Sequence, residues 1–297
     1  MIYEQIAKNK RNSVILCILF IVFVAAIGWV FGQVSSMGNG GVVLAVVIAL
    51  VWTFGSYYWS DQIVLAMSGA RPLEKEEFPH LFHAVEGLAI AGGIPVPKVY
   101  VIEDSAPNAF ATGRNPAHAV VCVTTGLLQK MDRLELEGVI AHELSHIGNY
   151  DILLGSLVVV MVGVVTLLSD WIMRSYFWGG RRRRDNEGGG QAAIILMVVG
   201  MILALLAPLI AQLVRLAISR KREFLADASG AMLTRYQKGL ADALRKLDAD
   251  PDPLEAANKA TAHMYIVNPL KEYGGMVNRL FSTNPPIEER IRALEQM

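Results

Sequence analysis

An α+β, mostly helical integral membrane protein is predicted, with four transmembrane helices and a small antiparallel sheet, and three observations carry that prediction. The 297-residue chain is 53% hydrophobic and only 18% charged, which is apolar for a soluble protein of this length. Four runs hold the excess: Ser13 to Val34, Val42 to Trp59, Ile152 to Met173 and Ala192 to Val214. Polar blocks separate and follow these runs, and the first block contains an H-E-x-x-H run from His142 to His146.

Each run is long enough to cross a bilayer, because about 20 residues at about 1.5 Å each span a hydrocarbon core about 30 Å thick. Lys8, Lys10 and Arg11 before the first run could be the basic end of a signal peptide. The run is too long for that, since a signal's apolar region is about 7–15 residues. The chain therefore divides into a hairpin over 1–60 (spans 13–34 and 42–59), a first polar block at 61–151 that the H-E-x-x-H run marks as the first part of an expected catalytic domain, a second hydrophobic hairpin at 152–214, and a second polar block at 215–297 expected to complete that domain.

Sidedness follows from the basic residues. Lys8, Lys10 and Arg11 before span one, and Arg215, Arg220, Lys221 and Arg222 after span four, place both termini and both polar blocks in the cytoplasm. Gln33 to Gly41, the external loop on this scheme, has no Lys or Arg. Arg181 to Arg184, between spans three and four, oppose the scheme. It is kept because a site shared by the two polar blocks requires both on one face, which a hairpin that dips into the membrane and returns would also satisfy. The arginine run itself reads as a solvated loop or an anionic-lipid contact.

Formal charge is zero, with 27 basic and 27 acidic residues, so nothing draws the chain as a whole to nucleic acid. Cys17 and Cys122 are poorly placed for a mutual disulfide and fit a reducing compartment. In the first polar block, Val99 to Ile102, Ala109 to Thr112 and Ala119 to Thr124 read as short strands, with a turn at Arg114-Asn115-Pro116. An unpaired edge there could take a substrate backbone as an added strand, or serve packing alone.

The helix that carries H-E-x-x-H has apolar residues at Leu136, Val139, Ile140 and Ile147, and Gly148-Asn149 suit its end. At about 100° and about 1.5 Å per residue, His142 and His146 sit about 40° apart and one turn along, so both imidazoles can meet one cation, while Glu143 faces its water. Catalytic zinc keeps three protein ligands and an open position, so a third ligand is needed. Arg222-Glu223-Phe224-Leu225-Ala226-Asp227 follows the last apolar run without Pro or Gly, which puts Glu223 and Asp227 on one helical face. Glu223 would complete the set, and Asp227 could accept a hydrogen bond from the outer nitrogen of a ligating imidazole. Asp151 is a second candidate for such a bond, or a helix-end charge.

These residues resemble a known family. The order of Asn108-Ala109-Phe110-Ala111-Thr112-Gly113, His142 to His146, Arg222 to Asp227 and Asn284-Pro285-Pro286-Ile287-Glu288-Glu289-Arg290-Ile291 is similar to the HtpX-type membrane zinc metalloproteases, which are related to CAAX prenyl proteases. The resemblance implies a gluzincin-like catalytic domain facing the cytosol from the cell membrane (the inner one in a bacterium), one Zn2+ per chain, and endopeptidase activity in membrane-protein quality control. It also implies Asn108, Ala109, Phe110, Ala111 and Thr112 as the substrate-binding edge strand, Glu223 as third ligand and Asp227 behind a ligand. The chain departs from the family in having Asn284 where His often precedes the prolines, so help for the transition state falls to Asn284 or Arg290. Pro285-Pro286 can also simply open a C-terminal helix. The partners expected are membrane-protein or unfolded-protein substrates and the lipid bilayer, with no nucleic acid; oligomeric state is not fixed by the sequence. Two competing readings are a zinc-holding scaffold without catalysis, and a transporter, which the near absence of ionisable residues within the spans disfavours.

Overall fold

A computed structural model describes residues 2–34, 38–163, 200, 220–257, 260–267, 269 and 285–297. Two long apolar helices come first, α1 (Ile2–Val34) and α2 (Asn39–Met67), and they pack side by side. Their apolar segments, Ile6–Ala26 and Asn39–Met67, are each long enough to cross a membrane. The outer faces are bare: Val14, Ile18, Val43, Val51 and Phe54 are all more than half exposed. That is the pattern of helices whose solvent is lipid.

The polar block then folds as β1 (Arg71–Pro72), α3 (Pro79–Gly92), β2 (Lys98–Ile102), β3 (Ala109–Gly113), β4 (Ala119–Thr124), α4 (Thr125–Lys130) and α5 (Arg133–Gly148). All three expected strands form, but the sheet is mixed, not antiparallel. Its order is β1-β2-β4-β3, with β2 and β4 parallel and the other two pairs antiparallel. The reason lies in the crossing between β2 and β3. β4, Ala-Val-Val-Cys-Val-Thr, is buried at every residue and takes a central place; β3 folds back along its outer side, so β4 runs in the direction of β2.

α5 begins with a capping box: the Asp132 carboxylate accepts from Glu135 N–H at 2.9 Å, and Glu135 accepts from Asp132 N–H at 2.8 Å. The helix is buried on nearly all sides, packed by α3, α7 (Arg220–Thr234) and α8 (Gln237–Ala249). At its end Asn149 caps the helix and Tyr150 takes φ +60°, a left-handed turn that a bulky side chain rarely adopts. The chain leaves at 84° into α6 (Asp151–Gly163). α6 opens the third expected span, yet Leu154, Leu157, Val158 and Val159 are buried in the core that contains Ile102, Phe110 and Val120 of the sheet. Its apolarity therefore serves a protein interior. The rest of that span, Arg181 to Arg184, and span four apart from residue 200 lie outside the described residues. A short amphipathic helix, α9 (Ile287–Glu295), starts after Pro286 as expected and lies on α8.

Close contacts between helices set the positions of the polar groups. A β-carbon on Gly138 of α5 would lie 2.6 Å from the Leu240 nitrogen of α8, and one on Gly230 of α7 would lie 3.0 Å from the His142 nitrogen. Gly138→Ala should therefore cost about 1–3 kcal/mol as α5 and α8 are forced apart. An unchanged melting temperature for that variant would contradict this packing.

Candidate active site

α5 presents His142 and His146 one turn apart, and α7, seated on α5 through Gly230, brings Glu223 against them. His142 Nε2 and His146 Nε2 are 3.2 Å apart. Glu223 Oε2 is 3.6 Å from the first, and its Oε1 is 3.8 Å from the second. These edges fit a single cation. A tetrahedral centre about 2.0–2.1 Å from each ligand atom has edges of about 3.3–3.4 Å. Two nitrogens and one carboxylate with an open fourth side is a donor set suited to zinc.

Each imidazole is oriented from behind. His142 Nδ1 lies 2.9 Å from Asp227 Oδ1, and His146 Nδ1 lies 3.0 Å from Asp151 Oδ2. A carboxylate only accepts, so each Nδ1 carries a proton, and in the neutral ring Nε2 keeps a lone pair free for a cation. The turn at Tyr150 is what swings Asp151 back onto His146. Asp227, with no exposed surface, is gripped by Arg290 of α9 through Nε to Oδ2 at 2.8 Å and Nη2 to Oδ1 at 2.7 Å. Arg290 also donates from Nη1 to the Ile266 carbonyl at 2.9 Å. It stands behind the imidazoles and does not line the cleft in front of them.

That cleft, about 60 Å³, is lined by Ala111, Glu143, His146, Glu223, His263 and Met264 among others. Of the five expected substrate-strand residues, only Ala111 reaches it. Asn108 donates to the Val267 carbonyl at 3.0 Å, Phe110 stacks edge-on against Tyr265, and Thr112 bonds to Ser156 at 2.8 Å. The backbone alternates accordingly. Thr124 N–H donates to the Asn108 carbonyl, so residues 108, 110 and 112 bond to β4 while 109, 111 and 113 turn outward. Ile266 N–H takes the Ala109 carbonyl at 3.1 Å, and Gly113 N–H goes to Ser156 Oγ at 3.3 Å. Ala111 lies between these two capped positions, at the cleft.

Asn284 lies outside the described residues. His263, Met264, Ile266 and Ser156 belong to no sequence motif, and neither does Asn9 in α1. Asn9 is buried and donates to Asp151 Oδ1 at 2.6 Å. Arg222 is also buried, with Nη1 3.6 Å from Asp151 Oδ1. Both belong to basic clusters that read simply as membrane-flanking charge.

Comparison with known proteins follows the same line. Residues 75–297 match the family described as Peptidase family M48. A Protease HtpX homolog of Dictyoglomus thermophilum is 48% identical over 295 residues, covering 99% of this chain and 94% of that protein. Another, of Thermoanaerobacter pseudethanolicus, is 47% identical over 296 residues, covering 100% and 98%. The crystal structure of S. mikatae Ste24p is similar in fold, with TM-score 0.50 at 19% identity, covering 99% of this chain and 67% of that one.

Burial pulls the His146 pKa down, but Glu223 and Asp151 outweigh it and raise the value to about 9. Burial likewise opposes, and Asp227 and Glu223 overcome, a raised pKa at His142. Glu223 is held at about 2, because the imidazoles and Arg290 outweigh its burial. For Glu143 burial wins and its pKa is raised. At pH 7 the His146 imidazole therefore holds an extra proton that a cation must displace. Zinc affinity should therefore climb as pH rises from 6.5 towards 9, with proton release on binding. Equal affinities at pH 6.5 and 8.5 in chelator competition would contradict these raised values. Arg290→Met should cost about 3–5 kcal/mol of stability, since it strands the buried Asp227 carboxylate; thermal melting measures it.

Proposed function

We propose a mechanism and substrate class for this chain, which belongs to peptidase family M48 and is a peptidase: it is a zinc-dependent endopeptidase that cuts cytosolic segments of misfolded or damaged membrane proteins. The observation that carries this reading is the triangle of His142, His146 and Glu223 beside Glu143 and the outward backbone of Ala111. Those three residues would hold one zinc ion. When bound, the ion would supply Lewis acidity to the scissile carbonyl and to the attacking water.

The residues of the chain account for the rest. A substrate laid along β3 pairs with the Ala111 N–H and C=O, which places one peptide bond in front of Glu143 without reading its side chains. Backbone pairing of this kind suits an enzyme that must accept varied, unfolded segments. Glu143, kept basic enough by burial, takes the proton of the water and passes it to the departing amine. Asp227 and Asp151 hold the two imidazoles in the tautomer that ligation needs.

Membrane substrates follow from position. Asn9 lies inside the apolar segment Ile6–Ala26 and bonds to Asp151, which bonds to His146, so the cluster sits level with the start of the first span. Lys8, Lys10 and Arg11 favour the cytoplasmic side for that end.

Glu143→Gln should retain zinc and lose about 10²–10⁴-fold in turnover of a bilayer-embedded model substrate. Glu223→Ala should lose zinc as well. Turnover by Glu143→Gln at the unmutated rate would refute the mechanism, and cleavage of soluble peptides but never of embedded proteins would refute the substrate class.

A further inference from the structure

We propose that Asn9, on the first membrane helix, is a positioning residue for the metal ligand His146, acting through Asp151. Resting on the zinc reading above, this adds to the catalytic site a residue from the membrane anchor, 137 positions before its target in the chain.

The geometry is closed on every side. Asn9 is 1% exposed, and its amide has two donors and one acceptor to satisfy. Nδ2 donates to Asp151 Oδ1 at 2.6 Å and to the Asn149 carbonyl at 2.9 Å. Oδ1 accepts from Arg222 Nη1 at 3.4 Å. Asn149 caps α5, Asp151 opens α6, and Arg222 is next to Glu223, so one amide touches three elements that converge on the ligands. Asp151 has two oxygens, and they are divided: Oδ2 goes to His146 and Oδ1 to Asn9, with Arg222 behind. The Asn9 bond therefore fixes the rotation of the carboxylate plane, and that plane sets the direction in which His146 Nε2 points.

The chemistry also selects an amide. A carboxylate at position 9 would set two like charges at the distance of this hydrogen bond, while an apolar residue would leave Asp151 free to turn towards Arg222. An ordinary membrane-helix contact would require none of these features. The neighbouring polar residue, Ser13, bonds back to the Asn9 carbonyl at 3.0 Å within its own helix and makes a natural control.

The test uses full-length protein in bilayer discs, with zinc dissociation measured by chelator competition and ligand geometry read from the visible spectrum of the Co2+-substituted form. Asn9→Leu and Asn9→Asp should each raise the zinc dissociation constant about tenfold and alter the cobalt bands. Ser13→Ala should change neither. Because the effect runs through Asp151, Asn9→Leu combined with Asp151→Asn should bind zinc no more weakly than Asp151→Asn alone. Unchanged zinc affinity and cobalt bands in both Asn9 variants, even with a lowered melting temperature, would overturn the proposal. Multiplicative losses in the double variant would also overturn it. Failure of the unmutated protein to bind zinc would instead reject the zinc reading beneath it.

Discussion

The structure depends most on how its buried charges are paired. Asp227 and Arg290 have no exposed surface, His142 and Glu143 almost none, and burial of any one of them alone would be prohibitive. Arg290, Asp227 and His142 are tolerated together because each meets its complement at hydrogen-bond distance, and this requirement fixes the positions of the helices around them. Two parallel chains of contact result. One runs from Arg290 through Asp227 to His142, the other from Asn9 and Arg222 through Asp151 to His146. Each ends on an imidazole nitrogen facing the same point.

This pairing draws on residues far apart in sequence, from α1, α5, α6, α7 and α9. The imidazoles of one helix are therefore steered by carboxylates that the same helix could not supply. Tight approach is a precondition: Gly230 lets the backbone of α7 come within van der Waals contact of α5, and a side chain there would hold Glu223 and Asp227 away. A left-handed residue at Tyr150 is the second precondition, since only a sharp break after α5 returns Asp151 to the helix it has just left. Strain at one residue is set against orientation of an imidazole.

Those dependences explain what the sequence disclosed. His142, Glu143 and His146 were readable because helical periodicity alone puts them on one face, and Glu223 with Asp227 for the same reason at spacing four. Strands β2, β3 and β4 were readable from β-branched and apolar runs. Strand order was not, because pairing is decided by which strand can be buried on both faces, and that is a property of the assembled domain. Asn9, Ser156 and Ile266 were invisible for a related reason: each matters through a partner more than a hundred residues away or through a single backbone bond, and neither leaves a local pattern.

Hydropathy misleads here in an instructive way. Val51 and Val159 both lie in long apolar runs, and transfer from water favours both equally. Val51 is 69% exposed on a helix of membrane length, whereas Val159 is fully buried beside the sheet. An apolar run records only that water is excluded, and lipid and protein both exclude it. What separates them is the polar bookkeeping at the ends: α6 begins with Asp151, a carboxylate committed to His146 and Asn9, and carries Ser156, committed to Thr112 and Gly113. A helix holding such fixed hydrogen bonds to the sheet and to His146 is packed with them along its described length, so its apolar face fills a protein interior and its residues Ile152 and Gly155 form part of the cleft wall.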